Sequence, residues 1–223
     1  LKILHELDRI LKNNPSLQSN KHTLCQVVNG VFDIELKQID NTEIHALAEQ
    51  IDRAVLKNYF SKVWQPETKK FKYSGLAIID EVNAMSPDNV IDIGCGYNEF
   101  KGKIKNLIGI DPYNDRADID VHTLDYKPDI KFDVAICLGS INFGSSDKIL
   151  AELENVVSMV KSGGMLYFRV NPGIQHDKPA AKWINFYDWD PVFISNAAQH
   201  LNCDVLTLRQ DDNNRFYFVL RKK

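Results

Sequence analysis

Val90-Ile91-Asp92-Ile93-Gly94-Cys95-Gly96 is the stretch whose reading decides the fold. An apolar run broken only by one acid leads into two glycines separated by a cysteine, the pattern of a short strand, buried on both faces, that ends in a tight turn. Glycines in such a turn let the backbone pass close beneath a ligand, in space that a side chain at Gly94 would occupy. Comparable runs follow: LIGID at 107–111, FDVAICLG at 132–139 and MLYFRV at 165–170. Between the last two, Ile149, Leu150, Leu153, Val156, Val157 and Val160 recur at helical spacing, with a stop expected at Lys161-Ser162-Gly163-Gly164. Strand runs alternating with helical or loop segments predict parallel strands joined by crossovers, and hence an α/β sheet.

Outward from this core, Asp190-Pro191 opens another helix, because the carboxylate caps it and proline suits its first position. CDVLTLRQ at 203–210 and RFYFVLRK at 215–222, separated by Asp211 to Asn214, predict two antiparallel strands joined by a tight turn. On the N-terminal side, Ser74 is expected to cap a helix carrying Leu76, Ile79, Val82 and Met85 that Pro87 ends. Residues 1–13 predict an amphipathic helix, residues 24–36 are apolar without a decisive period, and Asn41 and Thr42 cap a stripe of Ile44, Leu47, Ile51, Val55 and Tyr59. The expected organisation is a small helical region over 1–68 and a sheet domain over 69–223. The apolar stripes call for burial against the sheet domain or a second subunit, so a homodimer is among the expected arrangements.

With 223 residues, 44% hydrophobic and 26% charged, the chain has an ordinary globular composition, and a formal net charge of −3 supplies no basic field that would indicate nucleic acid. Cys25, Cys95, Cys137 and Cys203 form no CxxC pair, and the six histidines have no metal-ligand spacing, so neither a metal site nor a disulfide framework is expected. Nothing approaches the roughly 18 apolar residues of a spanning helix. A cytoplasmic protein without membrane or export segments is the expectation.

The strand ends carry the chemistry. Asp111, followed by Pro112, stands at the tip of the second strand, where a carboxylate can accept both hydroxyls of a ribose. Asp125 beyond a short strand can accept from an adenine amino group, with Tyr126 offering a flat face, and Leu138-Gly139-Ser140 ends the next strand. All of these fall on the carboxyl edge of the sheet, where open α/β folds bind ligands. No glycine stands at the third position of the dinucleotide fingerprint, where Glu99 and Phe100 lie, which argues against an NAD-dependent oxidoreductase.

These segments, in this order and spacing and with a terminal antiparallel hairpin, resemble the motif series of class I S-adenosylmethionine-dependent methyltransferases over about residues 74–223. The resemblance implies a Rossmann-like methyltransferase fold and S-adenosyl-L-methionine as cofactor. It implies that Asp92, Gly94, Cys95 and Gly96 form the glycine-rich motif, that Asp111 and Pro112 hold the ribose, that Asp125 and Tyr126 lie beside adenine, and that Leu138 borders the cofactor. Tyr73 and Lys70 precede the first strand in a stretch that often folds over the methionine end in such enzymes. The segments between Gly96 and Leu107 and between Asp111 and Phe132 are short, which puts the usual helix count in question, and no NPPY-type tetrapeptide is present.

Methyl transfer needs an acceptor held in line and a base only for acceptors that stay protonated. Ser140, Asn142 and His176 are the acceptor-side candidates, and Trp183, Phe186, Tyr187 and Trp189 are candidates for a substrate wall. The expected function is transfer of a methyl group to a small-molecule acceptor, with residues 1–68 as a lid or substrate-recognition cap. The alternatives are a catalytically silent module that binds S-adenosylmethionine or S-adenosylhomocysteine, and a nucleic-acid or protein methyltransferase.

Overall fold

The computed structural model describes residues 2–65, 73–172, 179–211 and 214–223. The chain divides into two compact units, one of residues 1–65 and 176–185 and the other of residues 66–175 and 186–223.

In the first unit, α1 (Lys2–Asn13) buries Ile3, Leu7, Ile10 and Leu11 at helical spacing, as the sequence predicts. The undecided stretch is helical up to Phe32: α2 (Lys21–Phe32) is capped by Asn20, whose side chain accepts from the Thr23 amide. Helix α3 (Ile44–Asn58) is capped not by Asn41 or Thr42 but by Glu43, whose carboxylate accepts from His45 and Ala46 N–H, while Asn41 Oδ1 takes the amide of Glu43 itself. The unit also holds residues 179–185: Trp183 packs edge-on against Phe32, at 4.8 Å between ring centroids, and Lys2 Nζ donates to the carbonyls of Lys182 and Ile184.

The second unit is a six-stranded sheet in the order β2-β1-β3-β4-β6-β5, built from β1 (Val90–Ile93), β2 (Leu107–Ile110), β3 (Phe132–Leu138), β4 (Val160–Val170), β5 (Cys203–Gln210) and β6 (Phe216–Lys222). Strands β1 to β4 are parallel, and β6 is antiparallel to both β4 and β5, so the predicted terminal hairpin is present. Successive residues alternate between two apolar layers. Ile91, Ile93, Ala135, Cys137, Leu166 and Phe168 meet α5 (Ser146–Met159) and α6 (Pro191–His200), whereas Val90, Val134, Ile136, Tyr167 and Tyr217 meet Ile78 and Val82 beside or in α4 (Ile79–Ala84).

Asp190 caps α6 by accepting from the amides of Val192 and Phe193, with Pro191 at the first turn as predicted. Other expectations are corrected. The helix does not stop at Lys161–Gly164: α5 ends at Met159 and β4 begins at Val160, which pairs with Phe132. Gly163 takes a φ of +79, and a side chain on Gly164 would stand 2.8 Å from the Asp133 carbonyl, so these glycines serve an irregular strand. Ser74 caps no helix; it is buried and its hydroxyl donates to Asp211 Oδ2 at 3.4 Å, while α4 begins only at Ile79 after a 3₁₀ turn at Leu76–Ile78. No α-helix lies between β1 and β2 or between β2 and β3 among the described elements, in keeping with the short segments there.

Candidate functional site

The glycine-rich turn after β1 is set by left-handed backbone at Gly94 (φ +64) and Gly96 (φ +54). The nearest neighbour of a side chain on Gly94 would be protein: its Cβ would stand 2.3 Å from Ser140 Cβ at the end of β3. The turn is tied to β2 by the Cys95 amide on the Ile110 carbonyl and by the Gly96 amide on Asp111 Oδ2, both at 3.0 Å. Gly109 makes room for this from the β2 side, since a Cβ there would come within 2.6 Å of Asn98 Oδ1 and 2.9 Å of Cys95 Sγ.

Asp111 is buried one residue beyond β2, and its Oδ1 accepts from the Tyr113 amide at 2.7 Å. Gly96 and Tyr113 thus place a backbone donor on each oxygen, and the Asn114 amide is a third N–H at the same carboxylate. Burial raises its pKa and the N–H groups of Tyr113, Gly96 and Asn114 oppose that rise. Asp92 is 4% exposed, and no described residue donates to its carboxylate; burial, and after it the charge of Asp111, pushes its pKa up to about 8. Donors on both oxygens favour the charged form of Asp111, whereas burial without a donor favours the neutral form of Asp92. The Cys95 thiol is driven well up by burial and then by the same acids, so it is no thiolate nucleophile. All four cysteines are free and buried.

Missing crossover helices are replaced by polar braces that the sequence did not disclose. Asp118 Oδ2 accepts from the Gly109 amide at 2.8 Å on the outer side of β2 and from Asn98 Nδ2 at 3.4 Å, and its Oδ1 pairs with Lys101 at 2.7 Å. Asp125 does not follow a strand: it ends a 3₁₀ turn, Thr123–Asp125, with its side chain exposed. Tyr126 is half-buried against the α5-side core, so its ring is partly engaged by protein.

On the acceptor side, Ser140 Oγ is buried with no hydrogen-bond partner among the described residues. Asn142 is a brace between strand ends, its Oδ1 accepting the Asn171 amide at 2.9 Å and its carbonyl accepting the Tyr187 amide at 2.7 Å. Within the expected wall, Trp189 is core, 1% exposed, with its indole N–H on the Ile141 carbonyl. Phe186 packs with Phe143, whereas Trp183 belongs to the helical unit. Leu138 ends β3, and Tyr73 packs on the α4-side layer with the Arg209 guanidinium 4.4 Å from its ring centroid. Lys70 and His176 lie outside the described residues. Also unforeseen is the buried pair of Arg169 Nε and Asp211 Oδ2 at 2.6 Å, next to Ser74. Among the described residues no cluster of three or more His, Cys, Asp or Glu side chains could hold a metal, and no helix is long and apolar enough to cross a membrane.

No protein-family model and no curated protein matches the sequence. Solved structures do match the fold. The magnesium protoporphyrin IX methyltransferase of Synechocystis PCC 6803, solved with bound S-adenosylhomocysteine, is 10% identical, with a TM-score of 0.59 over 77% of this chain and 100% of its own. The N-methyltransferase NodS of Bradyrhizobium japonicum WM9, in complex with S-adenosyl-L-homocysteine, is 14% identical, with a TM-score of 0.55 over 77% of this chain and 97% of its own. An amino pentose methyltransferase of Micromonospora echinaspora, with S-adenosylmethionine bound, is 13% identical, with a TM-score of 0.53 over 66% of this chain and 89% of its own. The chain has the Rossmann-like fold of class I S-adenosylmethionine-dependent methyltransferases, and the expected fold class is borne out.

Proposed function

We propose that the protein is an S-adenosyl-L-methionine-dependent methyltransferase that acts on a small-molecule acceptor. The observation that carries this reading is the hydrogen bond from the Gly96 amide to Asp111 Oδ2, which joins the glycine-rich turn of β1 to the acid that ends β2 on the carboxyl edge. A left-handed glycine turn with Gly109 behind it, and a buried carboxylate one residue beyond β2, fit an adenosine-type cofactor. In this reading Asp111, with Pro112 fixing the chain after it, holds the ribose hydroxyls, Asp125 lies on the adenine side, and Gly94, Cys95, Gly96 and Leu138 line the remainder. When bound, the cofactor supplies an electrophilic methyl group on a sulfonium.

The residues at the ends of β3 and β4 would orient the acceptor, with Ser140 Oγ, a hydroxyl without a partner among the described residues, a candidate to hydrogen-bond it and Asn142 holding the two strand ends together. Small-molecule acceptors named for the structural neighbours support that substrate class. We assign residues 1–68 the role of a lid or recognition cap. Its support is chain connectivity: the chain leaves the sheet unit after β4, adds residues 176–185 to the helical unit and returns before α6.

Incubation with methyl-labelled S-adenosylmethionine and a fractionated cell extract tests the reading. Label in a low-molecular-mass product supports it; label only in protein or nucleic acid overturns the substrate class; no transfer despite cofactor binding points to a silent binding module.

A further inference from the structure

Asn155 lies on the core-facing side of α5 and is 6% exposed, among Ile149, Leu153 and Val156. An amide is costly there unless every polar atom is satisfied. Here each one is. Nδ2 donates to the Thr123 carbonyl at 2.6 Å and to the Tyr126 carbonyl at 3.2 Å, and Oδ1 accepts from Lys127 Nζ. Those partners are the first residue of the 3₁₀ turn Thr123–Asp125 and the two residues that follow it. The turn's own bonds run from the amides of Asp125 and Tyr126 to the His122 carbonyl, at 3.0 and 3.1 Å, and do not engage the carbonyls that Asn155 holds. With no crossover helix between β2 and β3 among the described elements, this side-chain amide ties the turn to α5 through its backbone, beside the packing of Tyr126 on the core. The exposed Asp125 carboxylate, to which no described residue donates, is held out from this fixed turn.

We propose that Asn155 is the positioning residue for purine recognition, fixing the 123–126 turn so that Asp125 selects a 6-amino purine over a 6-oxo purine. The proposal rests on the cofactor reading above and deepens it: the amide acts through Asp125 and touches no ligand itself. A carboxylate accepts from an exocyclic amino group but meets only lone pairs at a 6-oxo group, so fixing its place fixes the discrimination.

The test compares binding of S-adenosylhomocysteine and S-inosylhomocysteine to the full-length protein, Asn155→Ala, Asn155→Asp and Lys127→Met by calorimetry. The wild type is expected to prefer the adenine compound by about tenfold or more, and either Asn155 variant to bring that ratio to within about threefold of one. Asn155→Asp keeps the size and the Lys127 partner but loses both donors. Lys127 is exposed and its replacement spares the core; Lys127→Met is expected to lower the same ratio by about threefold, which keeps the test decisive if the Asn155 variants do not fold. A merely structural asparagine would change melting temperature and overall affinity but leave the ratio intact. If the wild type binds neither compound, the cofactor reading itself fails. If it binds both without preference, or if the folded variants keep the wild-type ratio, the cofactor reading stands and the role of Asn155 is overturned.

Discussion

Gly94 and Ser140 approach so closely that a single added carbon on the glycine would stand 2.3 Å from Ser140 Cβ. The glycine-rich turn of β1 is therefore shaped first by the neighbouring strand end and only then by any ligand. Gly94→Ala should combine the strain of a left-handed alanine, about 1–2 kcal/mol, with overpacking of about 1–3 kcal/mol. We expect a clear loss of stability in urea unfolding and a weakened cofactor affinity. Gly94→Ala/Ser140→Gly should recover part of the stability, because it removes the clash but not the strain. Equal stability of the single and double variants would show that the contact is not what requires the glycine.

Asp92 sets a pH dependence. Its folded-state pKa, near 8, lies above the ordinary carboxylate value, so the stability tied to its neutral form is complete in acid and is lost as pH rises towards and through 8. Asp92→Asn keeps the shape and removes the ionisation. We expect its melting temperature to exceed that of the wild type by about 3 °C or more near pH 9, at about 3 °C per kcal/mol for a protein of this size, with a smaller gain near pH 6. Calorimetric scans at the two pH values decide the matter: parallel curves for the two proteins would mean that Asp92 ionises in the fold as it does in water.

Arg169 and Asp211 form an ion pair with side chains 5% and 0% exposed. Asp211→Ala leaves the guanidinium buried without this partner and should destabilise the fold by about 3–5 kcal/mol, whereas Arg169→Met with Asp211→Leu should lie within about 1–2 kcal/mol of wild type. Urea titrations of the single and double variants measure the difference. Similar losses for both would point to the packing of the segment around Ser74 rather than to loss of the Asp211 charge beside Arg169.

Much of the fold was legible because its signals are local. The Asp190-Pro191 start of α6 needs only the chemistry of a helix N-terminus, and β1, β3 and β4 show as apolar runs because each is covered on both faces. Misreadings arose where a distant partner overrides a local signal. Ser74 has the form of a helix cap, yet its hydroxyl goes to Asp211, 137 positions away, and Gly163-Gly164 resembles a helix stop although Val160 already pairs with Phe132.

The site divides in the same way. The sequence points to Asp92, Gly94, Gly96 and Asp111 because they end adjacent parallel strands, and the structure gathers them on one edge. It was silent on Asn98, Asp118 and Asn155, whose partners are fixed only when loops without regular structure fold against β2 and α5. It also offered Trp189 as a substrate wall, because an aromatic residue in a loop carries no mark of the core that buries it.

The most direct test of the account is a calorimetric titration of S-adenosyl-L-homocysteine into the wild-type protein and into Asp111→Asn. Loss of the charged acceptor for two hydroxyls, with each such hydrogen bond contributing about 1.5–3 kcal/mol, should weaken binding by about tenfold or more. Saturable binding to the wild type is expected, with that loss in Asp111→Asn and no comparable binding of NAD. Saturable binding of NAD with none of S-adenosyl-L-homocysteine, or an Asp111→Asn variant that binds S-adenosyl-L-homocysteine as the wild type does, would contradict it.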